Sequence, residues 1–115
     1  MKKNLGKQGE EIAVKYMLNH GYNILERNFY TRYGELDIIC CDNKKAIIFV
    51  EVKARRSIKY GFPEEAVTRK KQEHLKKAAL IYLNSARFFT GMRFDVITIL
   101  INNQGYKINH IKNAF

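Results

Sequence analysis

Leu36-Asp37-Ile38-Ile39-Cys40-Cys41-Asp42-Asn43-Lys44-Lys45-Ala46-Ile47-Ile48-Phe49-Val50-Glu51-Val52-Lys53 is the stretch that decides the fold. Two apolar runs rich in β-forming residues flank a short polar segment, which predicts two buried strands joined by a hairpin turn. Each run nevertheless carries an acid, Asp37 in the first and Glu51 in the second. An unpaired buried ion costs several kcal/mol or shifts its pKa until it is neutral, so something must hold these charges there. Strand side chains alternate faces, which puts Glu51 and Lys53 on the same one. The hairpin register decides whether the two acids can meet. If Asp42 opposed Lys45, Asp37 would face Val50 and Glu51 would lie on the other side. If Asp42 opposes Ala46 across a three-residue loop, Asp37 lies opposite Glu51 with Cβ atoms about 5 Å apart. We expect the second register, in which a divalent cation would relieve the repulsion between the two carboxylates. Magnesium suits carboxylate and water oxygens, and it could polarise a phosphodiester while Lys53 neutralises developing charge or assists the attacking water.

Outward from the hairpin, Gly6 to His20 carries Ile12, Ala13, Tyr16 and Met17 at helical spacing, with Gly21 as the stop signal. Tyr22 to Tyr30 reads as a strand and Thr31-Arg32-Tyr33-Gly34 as a turn, so three antiparallel strands are expected in succession. Ala54 to Pro63 has turn chemistry and no period, and reads as a basic loop bearing Tyr60 and Phe62. Thr68 is a candidate N-cap for a helix that buries Leu75, Ala78, Ala79, Tyr82 and Leu83 and ends near Ser85. Phe94 to Ile101 and Tyr106 to Ile111 complete the strands. The helix between the third and fourth strands predicts that those two pair in parallel. The fold class is therefore α/β, a mixed β-sheet flanked by helices, in a single domain over residues 1–115.

Twenty-one basic residues against 11 acidic ones leave the chain at +10, an excess that favours a polyanionic partner through phosphate contacts and counterion release. Nucleic acid is the expected partner, because the basic residues do not lie on a strongly amphipathic, membrane-binding helix. No run reaches the length of a membrane span, and Met1-Lys2-Lys3-Asn4 does not lead into an apolar signal region. The cytoplasm is the expected address. Cys40 and Cys41 are adjacent, so they neither bridge each other nor show metal-ligand spacing, and a buried structural role is expected. His20, His74 and His110 share no zinc-like spacing. Asp95 beside Arg93 reads as a structural ion pair. Arg69, Lys70 and Lys71 fall in the first turn after Thr68, where cations oppose the helix dipole unless an anion binds. These three, with Arg55, Arg56 and Lys59, are the candidate phosphate contacts, and Gln72 reads as ordinary surface.

Gly34-Glu35-Leu36-Asp37, Phe49-Val50-Glu51-Val52-Lys53, Gly61-Phe62-Pro63-Glu64-Glu65-Ala66-Val67-Thr68, Lys71 and Arg93-Phe94-Asp95-Val96 together resemble the bacterial YraN family. That family is related to the PD-(D/E)XK restriction-endonuclease-like superfamily and is similar to archaeal Holliday-junction resolvases. The resemblance covers nearly the whole chain, with Leu36 standing where restriction enzymes carry proline. It implies the superfamily's αβββαβ core, Asp37 and Glu51 as magnesium ligands with manganese as substitute, the Val52 carbonyl completing the site, and Lys53 as the catalytic lysine. Gly9-Glu10 matches the family's helix glutamate, which makes Glu10 a further ligand or a group just behind the ligands. The expected function is a magnesium-dependent nuclease acting on DNA rather than RNA, at branched or single-stranded structures. A non-catalytic nucleic-acid-binding module with the same fold is the alternative, and a basic protein docked on a ribosome or other assembly is a third reading. Resolvase-like relatives act as symmetric dimers, which admits a homodimer here, with Tyr106 to Ile111 as an exposed edge.

Overall fold

The computed structural model describes residues 4–56, 67–86 and 88–115. The order is α1 (Leu5–Asn19), β1 (Asn23–Thr31), β2 (Gly34–Cys41), β3 (Ala46–Arg55), α2 (Arg69–Asn84), β4 (Gly91–Asn102) and β5 (Gly105–Ile111). All five strands join one mixed sheet in the order β1-β2-β3-β4-β5. The β3–β4 pair is parallel and the other three pairs are antiparallel. Such an arrangement is compatible with a restriction-endonuclease-like fold, as the sequence implied. No helix among the described residues is long and apolar enough to cross a membrane.

Both helices begin where a side chain can satisfy an otherwise unbonded amide. Asn4 Oδ1 accepts from the Lys7 N–H at 2.8 Å, and Thr68 Oγ1 accepts from the Lys71 N–H at 3.1 Å. The first helix stops at His20, followed by Gly21 at φ +88°, a left-handed turn that glycine adopts without strain. Strand alternation then sorts the core into two layers. Ile38, Cys40, Ile48, Val50 and Ala54 pack with Ala13 and Met17 of α1, whereas Ile39, Ile47, Phe49 and Phe94 pack with Leu75, Ala78 and Ala79 of α2. Apolar residues on both faces explain why β3 and β4 read as continuous hydrophobic runs.

The hairpin takes the expected register. Ile38 pairs with Val50, Ile39 with Phe49, Cys40 with Ile48 and Cys41 with Ile47. Asp42 N–H donates to the Ala46 carbonyl at 3.1 Å, and Lys45 turns the chain at φ +70°. Asp42 Oδ1 also accepts from the amides of Lys44 and Ala46, both at 2.9 Å, so the aspartate braces its own loop.

Two strand boundaries are corrected. β4 begins at Gly91, three residues before the expected Phe94, because Gly91, Met92 and Arg93 pair with Ala46, Ile47 and Ile48. Ala54 and Arg55, read from sequence as the start of a loop, continue β3, because each pairs with β4, Ala54 with Ile99 and Arg55 with Leu100. The basic character of Arg55-Arg56 masked a ladder that only the long-range partner reveals. Lys59, Tyr60, Gly61, Phe62 and Pro63 lie outside the described residues.

Candidate metal and nucleic-acid site

Asp37 sits where β2 parts from β3. The ladder between them closes at Ile38↔Val50, and the Val52 N–H donates instead to Asp37 Oδ2 at 2.9 Å. Side-chain alternation also breaks here, since Leu36 and Ile39 both join the α2 layer while Ile38 joins the α1 layer. Asp37 thereby stands at a seam between the two faces, in reach of acids from either side.

From the α1 side comes Glu10. It follows Gly9, which is buried against β3: a Cβ on Gly9 would lie 2.8 Å from the Cβ of Ala54 and 3.6 Å from Cγ1 of Val52. Glycine is what allows the helix to approach closely enough for its next residue to reach the strand. Asn28 Nδ2 donates to Glu10 Oε1 at 2.9 Å. Asn28 holds φ +52° within β1, a left-handed conformation that asparagine tolerates better than most residues. One carboxylate oxygen from each of Glu10, Glu35 and Asp37 lies within 4.8 Å of the other two. Glu35 was not among the residues expected from sequence. The signal was present, since Glu35 and Asp37 stand two apart around Leu36.

From the other side comes Glu51, buried at 6 % exposure, with Oε2 lacking any hydrogen-bond partner. Lys71 Nζ of α2 lies 3.7 Å from that oxygen, close enough to offset charge but beyond a hydrogen bond. Burial first, then the hydrogen bond and repulsion from Glu51, push the Asp37 carboxyl up to about 7, against the lowering effect of the Val52 amide. The Glu10 carboxyl is also raised, chiefly by burial and further by Asp37 and Glu35, although the Asn28 bond opposes this. Three acidic residues thus cluster at one spot of a strongly basic chain, and a fourth, Glu51, adjoins the cluster through Asp37.

The remaining expected residues distribute as follows. Lys53 is half-buried on β3, two residues beyond Glu51 and opposite Thr98. Arg55 donates to the adjacent Ala54 carbonyl at 3.0 Å, and Arg56 is exposed. Arg69 and Lys70 are exposed at the start of α2. The expected anion site there is reduced, because Thr68 already takes the Lys71 amide and the Lys71 side chain turns to Glu51. Gln72 donates to the Val67 carbonyl at 3.2 Å.

Asp95 is fully buried in the ion pair expected with Arg93, at 2.8 and 3.0 Å, and it also bonds His110 Nε2 at 2.7 Å and the Asn113 N–H at 3.0 Å. Burial would raise its pKa, but His110, Arg93 and Asn113 together hold it below the usual carboxylate range. His110 Nδ1 joins the Tyr16 hydroxyl at 3.1 Å, tying β5 to α1. Cys40 is buried, and desolvation pushes its thiol up to about 12, which suits the inert structural role.

Beneath Asp37 and Glu51, a cavity walled by Leu36, Phe49, Leu75 and Phe94 offers only about 10 Å³, room for about one water. A roomier cleft of about 360 Å³, lined by His20, Tyr22, Asp42 and Lys44 among others, lies at the opposite end of β3 and contains none of the expected residues. The expected site residues gather at the acidic seam, not in the larger hollow.

Comparison with known proteins agrees with the motifs. A family model described as "Uncharacterised protein family UPF0102" matches residues 9–99. A UPF0102 protein of Syntrophomonas wolfei is 56 % identical over 116 residues, covering 100 % of both chains. One from Geobacter metallireducens is 51 % identical, covering 98 % of this chain and 93 % of the relative. Another, from Caldicellulosiruptor saccharolyticus, is 47 % identical with 99 % and 98 % covered. The matched span contains Glu10, Glu35, Asp37, Glu51, Lys53 and Lys71, and the chain belongs to the UPF0102 family, the YraN family whose motifs it carries.

Proposed function

We propose that the protein is a magnesium-dependent nuclease that hydrolyses phosphodiester bonds in DNA. The observation that carries this reading is the buried Glu51 Oε2, which has no hydrogen-bond partner and stands beside Asp37. A native protein rarely leaves such an oxygen unsatisfied, and a cation is the group that would satisfy it. The donors fit a hard divalent ion, being all carboxylate oxygen: Asp37 is shared between the Glu10–Glu35 cluster and Glu51. Magnesium, or manganese in its place, would supply Lewis-acid polarisation of the phosphodiester and lower the pKa of the attacking water.

The chain's own residues have complementary roles. Lys53, on the strand face it shares with Glu51, orients or deprotonates the nucleophile. Lys71, already 3.7 Å from Glu51, offsets the negative charge that develops on the phosphate. Arg55, Arg56, Arg69 and Lys70 hold flanking phosphates, as does Lys59 in the sequence reading. The net charge of +10 would draw the polyanion in. The cavity under the acids is too small for a metabolite, which favours a polymer lying across the surface.

Cleavage of junction, flap, single-strand and duplex DNA in Mg²⁺ and Mn²⁺ tests this, with wild type set against Glu51→Gln and Lys53→Ala. The expected result is loss of at least about 100-fold in both variants. Equal residual cleavage by all three proteins would reject the assigned site. DNA binding by a wild type that shows no calorimetric affinity for either cation would return the protein to the non-catalytic alternative.

A further inference from the structure

We propose that the β1–β2 turn, from Tyr30 to Glu35, is a platform that selects DNA strands with unpaired bases: Tyr30 stacks on a base while Arg32 and Lys77 grip a neighbouring phosphate. The inference rests on the nuclease reading for what happens to the bound strand, but the binding it describes needs no cation. Tyr30 is 75 % exposed at the end of β1, directly across from Glu35. Its phenol is held above its ordinary range chiefly by the Glu35 carboxylate, so an exposed aromatic ring stands beside a member of the acidic cluster. Glu35 in turn lies within 4.8 Å of Glu10 and Asp37. A base resting on Tyr30 would therefore be one side chain away from the carboxylates.

Three residues further along the turn, on the side of α2, the half-buried Tyr33 collects two cations. The Arg32 guanidinium carbon lies 5.0 Å from the centre of its ring and Lys77 Nζ of α2 lies 5.3 Å from it. Cation–π attraction steadies each charge. Two exposed positive groups gathered at one ring repel each other, and a phosphate between them would remove that repulsion. The turn is braced for the task. Thr31 Oγ1 donates to the Gly34 carbonyl at 2.8 Å and accepts from the Tyr33 N–H at 3.1 Å. Gly34 holds φ +132°, a conformation L side chains rarely adopt. A rigid turn loses little entropy on binding.

Aromatic stacking serves any base whose face is free, whereas in a duplex each face is covered by the neighbouring base pair. The platform therefore discriminates between unpaired and paired DNA, and electrostatic grip alone would not. Fluorescence anisotropy in excess chelator tests this with a labelled oligothymidylate and a duplex of equal length. Tyr30→Ala should weaken single-strand binding by about 5- to 100-fold and change duplex binding by less than about twofold. Tyr30→Phe should keep single-strand affinity within about twofold, because it retains the ring while losing only the hydroxyl. Arg32→Gln with Lys77→Gln should weaken both probes and flatten the salt dependence by about one to two phosphate contacts. Wild-type affinity in Tyr30→Ala, or an equal loss on both probes, would overturn the proposal, as would failure of Tyr30→Phe to bind. Because no cation is present, none of these outcomes depends on whether the protein cleaves DNA.

Discussion

Replacing Asp37 by Asn should stabilise the cation-free protein at neutral and alkaline pH. Burial and Glu51 raise the Asp37 carboxyl from 3.8 to about 7. Between those values the folded protein retains a proton that the unfolded chain has released, so the unfolding free energy falls as pH rises. A displacement from 3.8 to about 7, at 1.36 kcal/mol per pH unit, sets a ceiling of about 4 kcal/mol on the penalty above pH 7. Relaxation around the pair, and the offsetting charge of Lys71 beside Glu51, bring the expected penalty nearer about 2 kcal/mol. Asparagine removes the titration yet keeps an oxygen for the Val52 N–H, which Asp37 now accepts at 2.9 Å. Urea denaturation in chelator between pH 5 and pH 8 should show the variant gaining on wild type as pH rises, with its midpoint ahead by about 1 M at pH 8. Adding Mg²⁺ should close the gap by stabilising wild type through mass action. Parallel stability profiles for the two proteins across that pH range would refute the reasoning.

Gly9→Ala should destabilise the fold by about 1–3 kcal/mol, because the new methyl meets the Ala54 Cβ at 2.8 Å; thermal unfolding should show part of the loss restored in the double variant with Ala54→Gly. Arg93→Met leaves the buried Asp95 charge without its bidentate partner, so a loss of about 3–5 kcal/mol is expected by chemical denaturation. Because the Asp95 pKa is lowered on folding, its contribution is complete above the usual carboxylate value of 3.8 and disappears as pH falls through the folded value; acid titration of Asp95→Asn should lack that component. Glu35→Gln should weaken Mn²⁺ binding by about tenfold in calorimetry, and Asn28→Ala, which frees Glu10, should weaken it similarly.

The hairpin was legible because Leu and Ile on one strand, Ile, Val and Phe on the other, and a braced three-residue loop favour one register, and a slip by one residue would have turned both acids away from each other. The caps at Asn4 and Thr68 mark helix starts by ordinary local chemistry, though only Thr68 was read as one. Less was visible wherever the partner is remote. His110 meets Tyr16 across 94 residues, and Lys71 meets Glu51 only once α2 has returned over the sheet. Glu35 was overlooked for another reason: the strand pattern puts it beside Asp37, but attention to the pair across the hairpin hid the pair along the strand. Asn28 gave no signal at all, since nothing in Arg27-Asn28-Phe29 announces a left-handed residue inside a strand.

The parallel pairing of β3 with β4 has a consequence for when the site comes into being. Glu10, Glu35, Asp37 and Glu51 all lie within the first 51 positions, yet the strand that carries Glu51 gains its second neighbour only from residues 91–102. Contacts between segments so far apart form late, after the chain between them has been closed into a loop. During synthesis a ribosome would thus have released these four carboxylates well before the strand that completes the sheet beside Glu51 exists. On the nuclease reading proposed above, cleavage would await the last third of the polypeptide, and an incomplete chain would leave the nucleic acid around it intact.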